Sequence, residues 1–202
     1  MARRNSPGTG ASRLARGPGM GSVRIVGGRW RGSRLPVPDA PGLRPTSDRA
    51  RETLFNWLQP WLPGARVLDL FAGSGALGFE AVSRGAAQAV LVERDAALAD
   101  ALEASVRRLD AADSVQVVRA DALELLRAPL LGRFDGVFCD PPFEGGLWAT
   151  ALQRLAPWLA DDAWLYVESP AAAPVQPDGD WHLHREGGTR DARHALYRRG
   201  AG

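Results

Sequence analysis

From residue 65 onward two hydrophobic rhythms alternate along the chain. Short, nearly continuous apolar runs occur at RVLDLF (66–71), AVLVE (89–93), VQVVRA (115–120), DGVFC (135–139) and AWLYVE (163–168). Their length and β-branched content predict strands buried on both faces. Between them lie ALGFEAVSRG (76–85), AALADALEASVRRL (96–109), DALELLRA (121–128) and LWATALQRLAPWL (147–159). Apolar residues there recur every three or four positions, which predicts helices, the last broken or ended near Pro157. Strands alternating with helices predict an α/β fold with a parallel sheet covered on both sides. Two further strands are expected near WHLHRE (181–186) and RHALYRR (193–199), with the glycines at 187–188 in the turn.

The first third has a different texture. Residues 23–28 and 33–37 read as two short strands around GRWRG, a basic hairpin. Pro36, Pro38 and Pro41 then predict an irregular loop. Thr46, Ser47 and Asp48 offer helix caps before RARETLFNWL, where Leu54, Phe55 and Leu58 form an apolar face. Pro60 and Pro63 close that helix. Residues 1–21 are rich in Gly, Arg, Ser and Pro with no acid, and read as a disordered basic tail. They lack the apolar core of a signal peptide, and their Gly and Pro would break the amphipathic helix of a transit peptide. Met20 is an alternative start. The expected organisation is a tail (1–21), an extension (22–62) and an α/β domain (63–202).

Composition and charge sharpen this division. Residues 1–62 hold 11 Arg against Asp39, Asp48 and Glu52, a net of +8. Residues 63–202 hold 14 Arg against 20 acids, a net of −6. A basic extension on an acidic body suggests a polyanionic partner held by the first part. Lysine is absent, and all 25 basic residues are Arg, which fits a GC-rich genome better than a special chemistry. No apolar run approaches the length that spans a bilayer. Cys139, the single cysteine, excludes an intramolecular disulfide framework and fits a reducing compartment. One cysteine and the scattered His182, His184 and His194 suggest no metal site.

Three stretches carry candidate chemistry. In DLFAGSGALG, Gly73, Gly75 and Gly78 follow a strand and open a helix, the context of a nucleotide-binding loop. Glu93, at the end of the next strand, suits ribose hydroxyls in either a nicotinamide dinucleotide or S-adenosylmethionine. Asp69 discriminates further: an acid there would attract an ammonium and repel a pyrophosphate. Asp121, with Ala122 beside it, suits either an adenine amino group or a helix N-cap. The second stretch is Asp140-Pro141-Pro142-Phe143, which ends a strand where α/β ligand chemistry collects. Asp140 and the Pro141 carbonyl can grip the two N–H groups of an exocyclic amine, turning its delocalised lone pair toward an electrophile. The prolines fix the carbonyl direction, and Phe143 can stack on an extruded base. Cys139 precedes this motif on a buried strand and reads as packing rather than as a nucleophile. In the third stretch, RPTSDRARETLFNW, Arg44, Arg49 and Arg51 are candidate phosphate clamps, with Asp48 and Glu52 able to pair locally.

Taken together, RIVGGRWRGSRLPVP, GLRPTSDRARETLFNWL, VLDLFAGSGALGFEAVSRGA, LVERD, FDGVFCDPPFEGG and REGG…ALYRR resemble, in order over residues 23–199, the RsmD-type bacterial 16S ribosomal RNA (guanine-N2)-methyltransferases. DPPF alone is shared by many amino-group methyltransferases; the arginine-rich helix with the glycine loop is far more specific. The resemblance implies a Rossmann-like fold with a mostly parallel seven-stranded sheet, a final antiparallel strand, and a small hairpin-and-helix extension that holds RNA. It implies S-adenosylmethionine as cofactor, held by Asp69, Phe71, Gly73, Gly75, Glu93, Asp121 and Ala122. It makes Asp140, Pro141, Pro142 and Phe143 the amine-binding motif, and Arg29, Arg31, Arg44, Arg49 and Arg51 the RNA contacts. The expected setting is cytoplasmic, as a monomer acting on 16S ribosomal RNA in a partly assembled small subunit. One departure is Ser105, where the family pattern leads one to expect Asn. The alternatives are an amino-group methyltransferase acting on DNA, an NAD(P)-dependent oxidoreductase, and a non-catalytic RNA-binding protein.

Overall fold

The computed structural model describes residues 20–38 and 47–200. In chain order the elements are β1 (Met20–Arg24), β2 (Arg34–Pro38), α1 (Asp48–Leu58), β3 (Arg66–Asp69), α2 (Ala76–Ser83), β4 (Gln88–Glu93) and α3 (Ala96–Arg108). They continue with β5 (Val115–Arg119), α4 (Ala122–Leu125), β6 (Phe134–Cys139), α5 (Trp148–Arg154), β7 (Leu159–Pro170), β8 (Trp181–Gly188) and β9 (Ala192–Arg199). Arg44, Thr46, Pro41 and the tail up to residue 19 lie outside the described residues.

The seven strands after the hairpin form one sheet in the order β5-β4-β3-β6-β7-β9-β8. The first five are parallel, and β9 is antiparallel to both β7 and β8. The mostly parallel seven-stranded sheet expected from the sequence is therefore present. The apolar runs predicted it because both faces are covered. Val67, Leu91, Phe138, Trp164 and Tyr166 point into one core with α1, α2, α3 and the hairpin. Leu68, Val90, Val137, Leu165 and Val167 point into the other, with α4 and α5. The alternation follows from the two-residue period of a strand.

The helix ends follow local chemistry. Ser47 Oγ accepts from Ala50 N at 3.2 Å to start α1, and Asp95 Oδ1 accepts from Ala97 and Leu98 N to start α3. Pro157 ends α5 early and leaves a single 3-10 turn at Ala156–Trp158.

Three expectations are corrected. The first strand is shifted: Met20 and Gly21, assigned to the tail, begin β1, and the strand stops at Arg24 rather than at 28. Ile25 still bonds Ser33 and Gly32 across the hairpin, and the residues from Val26 leave it because they dock on α2. Val26 N donates to Glu80 Oε2 at 2.7 Å, Arg29 N to the Ser83 carbonyl at 2.8 Å, and Trp30 N to Ser83 Oγ at 2.9 Å. Gly28 needs to be glycine there, since φ is +73° and a Cβ would lie 1.8 Å from the Ser83 carbonyl oxygen. Gly187 and Gly188 are not in the turn but pair with His194 and Arg193 inside β8, and the turn is made by residues 189–191. The predicted helix at 121–128 shrinks to one turn, Ala122–Leu125.

Candidate active site

The strand order reverses between β3 and β6, and the carboxyl ends of β3, β4 and β6 open there. Parallel sheets bind ligands at such a switch point, because the loops diverge and leave a crevice. The structure brings Asp69, Gly73, Glu93 and Asp140 to it.

The glycine loop is organised by carboxylates. Gly73 N donates to Glu93 Oε2 at 2.9 Å, and Asp95 N donates to Glu93 Oε1 at 2.8 Å. Gly78 N donates to Asp69 Oδ2 at 3.0 Å. Gly75 N donates to the Ala72 carbonyl at 2.7 Å, with Gly75 at φ +73° as the left-handed entry to α2. All three glycine amides are thus engaged inside the protein, two of them by acids. A pyrophosphate needs such amides and meets negative charge here instead. This disfavours the dinucleotide alternative.

Asp69 is 2% exposed. Burial pushes its carboxyl up to about 7; the Gly78 hydrogen bond opposes the shift and the Glu93 charge adds to it. A buried acid in this condition is a site for a cation. Glu93 is partly exposed and each oxygen already accepts one backbone N–H, leaving acceptor capacity for hydroxyl groups. Asp121 caps α4 through Oδ1, which accepts from Leu123 N at 2.9 Å and Glu124 N at 3.1 Å. Its other oxygen lies 3.9 Å from Arg94, so the N-cap function is realised while one oxygen still faces outward chemistry. Ala122 is the first helical residue, whose N–H has no partner within its helix. Phe71 is partly exposed against the apolar core. This donor set fits S-adenosylmethionine: a buried acid for an ammonium, a carboxylate for ribose hydroxyls, and a capped turn with an available amide for a base.

Across the crevice, Asp140 follows the last residue of β6 and keeps some exposure, Pro141 is buried, Pro142 is exposed, and Phe143 is half-buried. The Phe143 ring sits 5.9 Å from that of Trp148, tilted by 49°. Trp148 is itself fixed by Nε1 donating to the Glu168 carbonyl at 2.8 Å. Burial pushes the Asp140 carboxyl well above its usual range, and the nearby charges of Glu168 and then Asp69 push the same way. Cys139 is fully buried, and burial drives its thiol up, so it stays an inert thiol.

Among the arginines, Arg29, Arg31 and Arg49 are exposed. Arg29 lies over the Trp30 ring at 4.2 Å and donates to Ser114 Oγ at 2.9 Å. Arg51 is different and corrects the expectation of a phosphate clamp. It is 1% exposed, donating through Nη2 at 2.6 Å to both Asp48 Oδ1 and the Arg24 carbonyl. Its guanidinium ties α1 to β1 through Nη2, while Nε and Nη1 are buried without a hydrogen-bond partner among the described residues. The sequence did not mark Glu80, Ser83, Tyr166, Glu168 or His194 as functional; Glu80, Tyr166 and Glu168 are polar groups in apolar runs, the one signal that could have flagged them.

Glu93→Ala is expected to weaken ligand binding in the crevice about 10- to 100-fold, since it removes a carboxylate acceptor and unties Gly73. Calorimetry on the folded variant checks this.

Residues 23–198 match the family described as conserved hypothetical protein 95. The chain is 48% identical over 187 residues to the ribosomal RNA small subunit methyltransferase D of Escherichia coli (strain K12), covering 91% of this chain and 93% of that protein. It is 41% identical over 181 residues to the protein of that name from Haemophilus influenzae, covering 88% of this chain and 94% of the relative. The solved structure of the putative methyltransferase yhhF from Escherichia coli superposes with a TM-score of 0.80 at 46% identity, over 90% of this chain and 100% of that one.

Proposed function

Since the chain belongs to the conserved hypothetical protein 95 family of RsmD-type proteins, we propose that it is an S-adenosylmethionine-dependent ribosomal RNA methyltransferase whose target is the exocyclic N2 amine of a guanine in 16S RNA. The observation that carries the reading is Asp140-Pro141-Pro142-Phe143 standing across the switch-point crevice from Asp69 and Glu93. The enzyme works in the cytoplasm as a monomer, on RNA in a partly assembled small subunit. No helix among the described residues is long and apolar enough to cross a membrane.

Asp69 takes the cofactor's ammonium, Glu93 its ribose, and Asp121 with Ala122 its adenine. When bound, the cofactor supplies a methyl group on a sulfonium. Asp140 and the Pro141 carbonyl accept the two N–H groups of the target amine and aim its lone pair. Phe143 stacks on the base, and its packing against Trp148 holds that platform in place. Alignment of this kind needs little acid–base power. Residues 22–62 form the RNA-holding extension, with Arg29, Arg31, Arg44 and Arg49 toward the backbone phosphates.

Asp69 gives this reading a pH signature. The folded protein keeps the Asp69 proton up to about 7, while the unfolded chain releases it near 3.8. Between those values the folded state binds more protons, so this group's contribution to stability falls as pH rises. Cofactor binding has the opposite dependence, because only the ionised carboxylate attracts the ammonium. Affinity for S-adenosylmethionine is therefore expected to tighten as pH rises through about 7, and Asp69→Asn to flatten the dependence. Calorimetry between pH 6 and 8 reads both.

The function itself is tested by incubating the protein with labelled S-adenosylmethionine and either total RNA or DNA. Label in 16S RNA, mapped to a guanine that is unmodified in cells lacking the gene, is the expected result. Label in DNA alone, or tight NAD(P) binding without S-adenosylmethionine binding, would overturn it.

A further inference from the structure

The polar residues at the carboxyl edge of the sheet do not end with Asp140. The pairing register sets Cys139 beside Val167, and Glu168 beside His194. Glu168 and His194 therefore share a row across β7 and β9, and Asp140, one residue past the end of β6, stands at the head of that row. By the strand period they share a face with Phe138, Tyr166 and Leu196. At the far end of the row three atoms close a triangle. Tyr166 Oη lies 3.2 Å from Glu168 Oε2 and 2.9 Å from His194 Nδ1, and that Nδ1 lies 3.2 Å from the same Oε2. The Tyr166 and His194 rings are stacked, 7° from parallel.

All three side chains are buried, and His194 Nε2 has no hydrogen-bond partner among the described residues. Burying such groups costs stability unless they are hydrogen-bonded, and the unpartnered Nε2 is the part of that cost the triangle does not offset. A tyrosine hydroxyl has one proton to give, so the triangle is satisfied when Nδ1 also carries one and both donate to Oε2. Nε2 is then bare, and the cluster has room for one more proton.

We propose that Glu168, Tyr166 and His194 form a relay that takes up the proton released at Asp140 when the target amine is methylated. This rests on the function proposed above. Methylation of an amine makes an N–C bond with the nitrogen lone pair, while the C–S pair departs with sulfur as a thioether. The nitrogen is left with one proton in excess. The relay carries that proton to the Asp140 carboxylate, on to Glu168, and into the Tyr166–His194 pair, from which it later returns to solvent. None of the three touches the base; they are positioning and proton-holding groups acting through Asp140.

The electrical environment supports the connection. Burial, then the Glu168 charge, then the Asp140 charge push the Tyr166 hydroxyl upward, which links the tyrosine to both acids. The other groups facing the row are Asp69 from β3 and, from β8, the uncharged Gly187 opposite His194. From α1, Phe55 and Trp57 pack over this face; Asp48 and Arg51 pair with each other, and Arg49 and Glu52 are exposed.

The test has two arms. In the full-length protein without RNA or cofactor, the His194 ring nitrogens are followed by NMR through a pH titration, with His194→Gln assigning them apart from His182 and His184. Asp140→Asn is expected to move the His194 titration by roughly half a pH unit or more, and Tyr166→Phe to shrink that response. A His194 titration indifferent to Asp140→Asn would overturn the relay. In the second arm, Glu168→Gln is expected to slow single-turnover methylation of small-subunit RNA about 10- to 100-fold at pH 7, with the KM for RNA kept. The deficit should narrow as pH rises and solvent base takes over. A deficit equal at every pH marks a structural role and sinks the relay. Tyr166→Phe, which loses only a hydroxyl, reads the same profile should Glu168→Gln fail to fold. If the unaltered protein methylates no RNA, the proposed function fails, and the His194 titration still judges the connection by itself.

Discussion

Asp140→Ala is expected to cut single-turnover methyl transfer by about a thousandfold while S-adenosylmethionine binds within a few-fold of normal. The size of the loss follows from what is removed. An aromatic exocyclic amine is a poor nucleophile until both its N–H groups are gripped, and the Pro141 carbonyl alone can hold only one. Cofactor binding is spared because Glu93 is held by Gly73 N and Asp69 by Gly78 N, and neither hydrogen bond involves Asp140. The variant should fold at least as well as the parent. Glu168 and Asp69 both press charge on Asp140, and deleting it relieves that repulsion. Rapid-quench methylation of ribosomal RNA, calorimetry with the cofactor and a thermal melt give the three readings. A variant that retains full turnover would refute the assigned grip on the amine.

Glu80→Ala is expected to destabilise the protein by about 3 kcal/mol, lowering the melting midpoint by about 6–12 °C for a chain of this size. Glu80 is fully buried in α2 and both its oxygens are used. Oε1 receives Arg84 Nε at 2.7 Å and Oε2 receives Val26 N at 2.7 Å. Truncation leaves the Val26 amide without its acceptor and the Arg84 guanidinium, which lies over Phe55, without its counter-charge. Because Val26 belongs to the hairpin loop, the extension loosens first. RNA affinity should therefore fall at temperatures where the cofactor still binds. Urea unfolding measures the stability, and a loss below about 1 kcal/mol would show that the buried pair adds nothing net.

Most of the sheet was legible because a doubly covered parallel sheet imposes an apolar run on each strand. Even β8 and β9, less regular in pattern, were found. What the sequence hid was the docking of one segment on another. The residues after Arg24 look like a continuing strand because Ile25 and Val26 are β-branched; only the bonds of Val26 to Glu80 and Trp30 to Ser83, more than fifty positions away, take the chain out of the ladder. Likewise Gly187 and Gly188 look like turn residues, and the ladder with β9 holds them in a strand. Arg51 was misread as a phosphate contact for a related cause. Charge on a helix start suggests exposure, and nothing local announces that Asp48 and the Arg24 carbonyl fold the guanidinium inward. The crevice residues were readable because motif, strand end and switch point coincide. The Tyr166–Glu168–His194 cluster was not, since its members meet only through the register of β7 and β9.

That same pairing bears on how the protein comes to be made. The last strand in the chain, β9, lies inside the sheet, seated between β7 and β8. A nascent chain leaves the ribosome from its N-terminus, so β7 emerges long before its partner. Seven residues of β7, from Trp164 to Pro170, pair with β9. Until residues 192–199 have been released, that edge is open to any strand that meets it. The sheet closes only when residues 192–199 can insert between β7 and β8, although they are made after every other strand of the sheet.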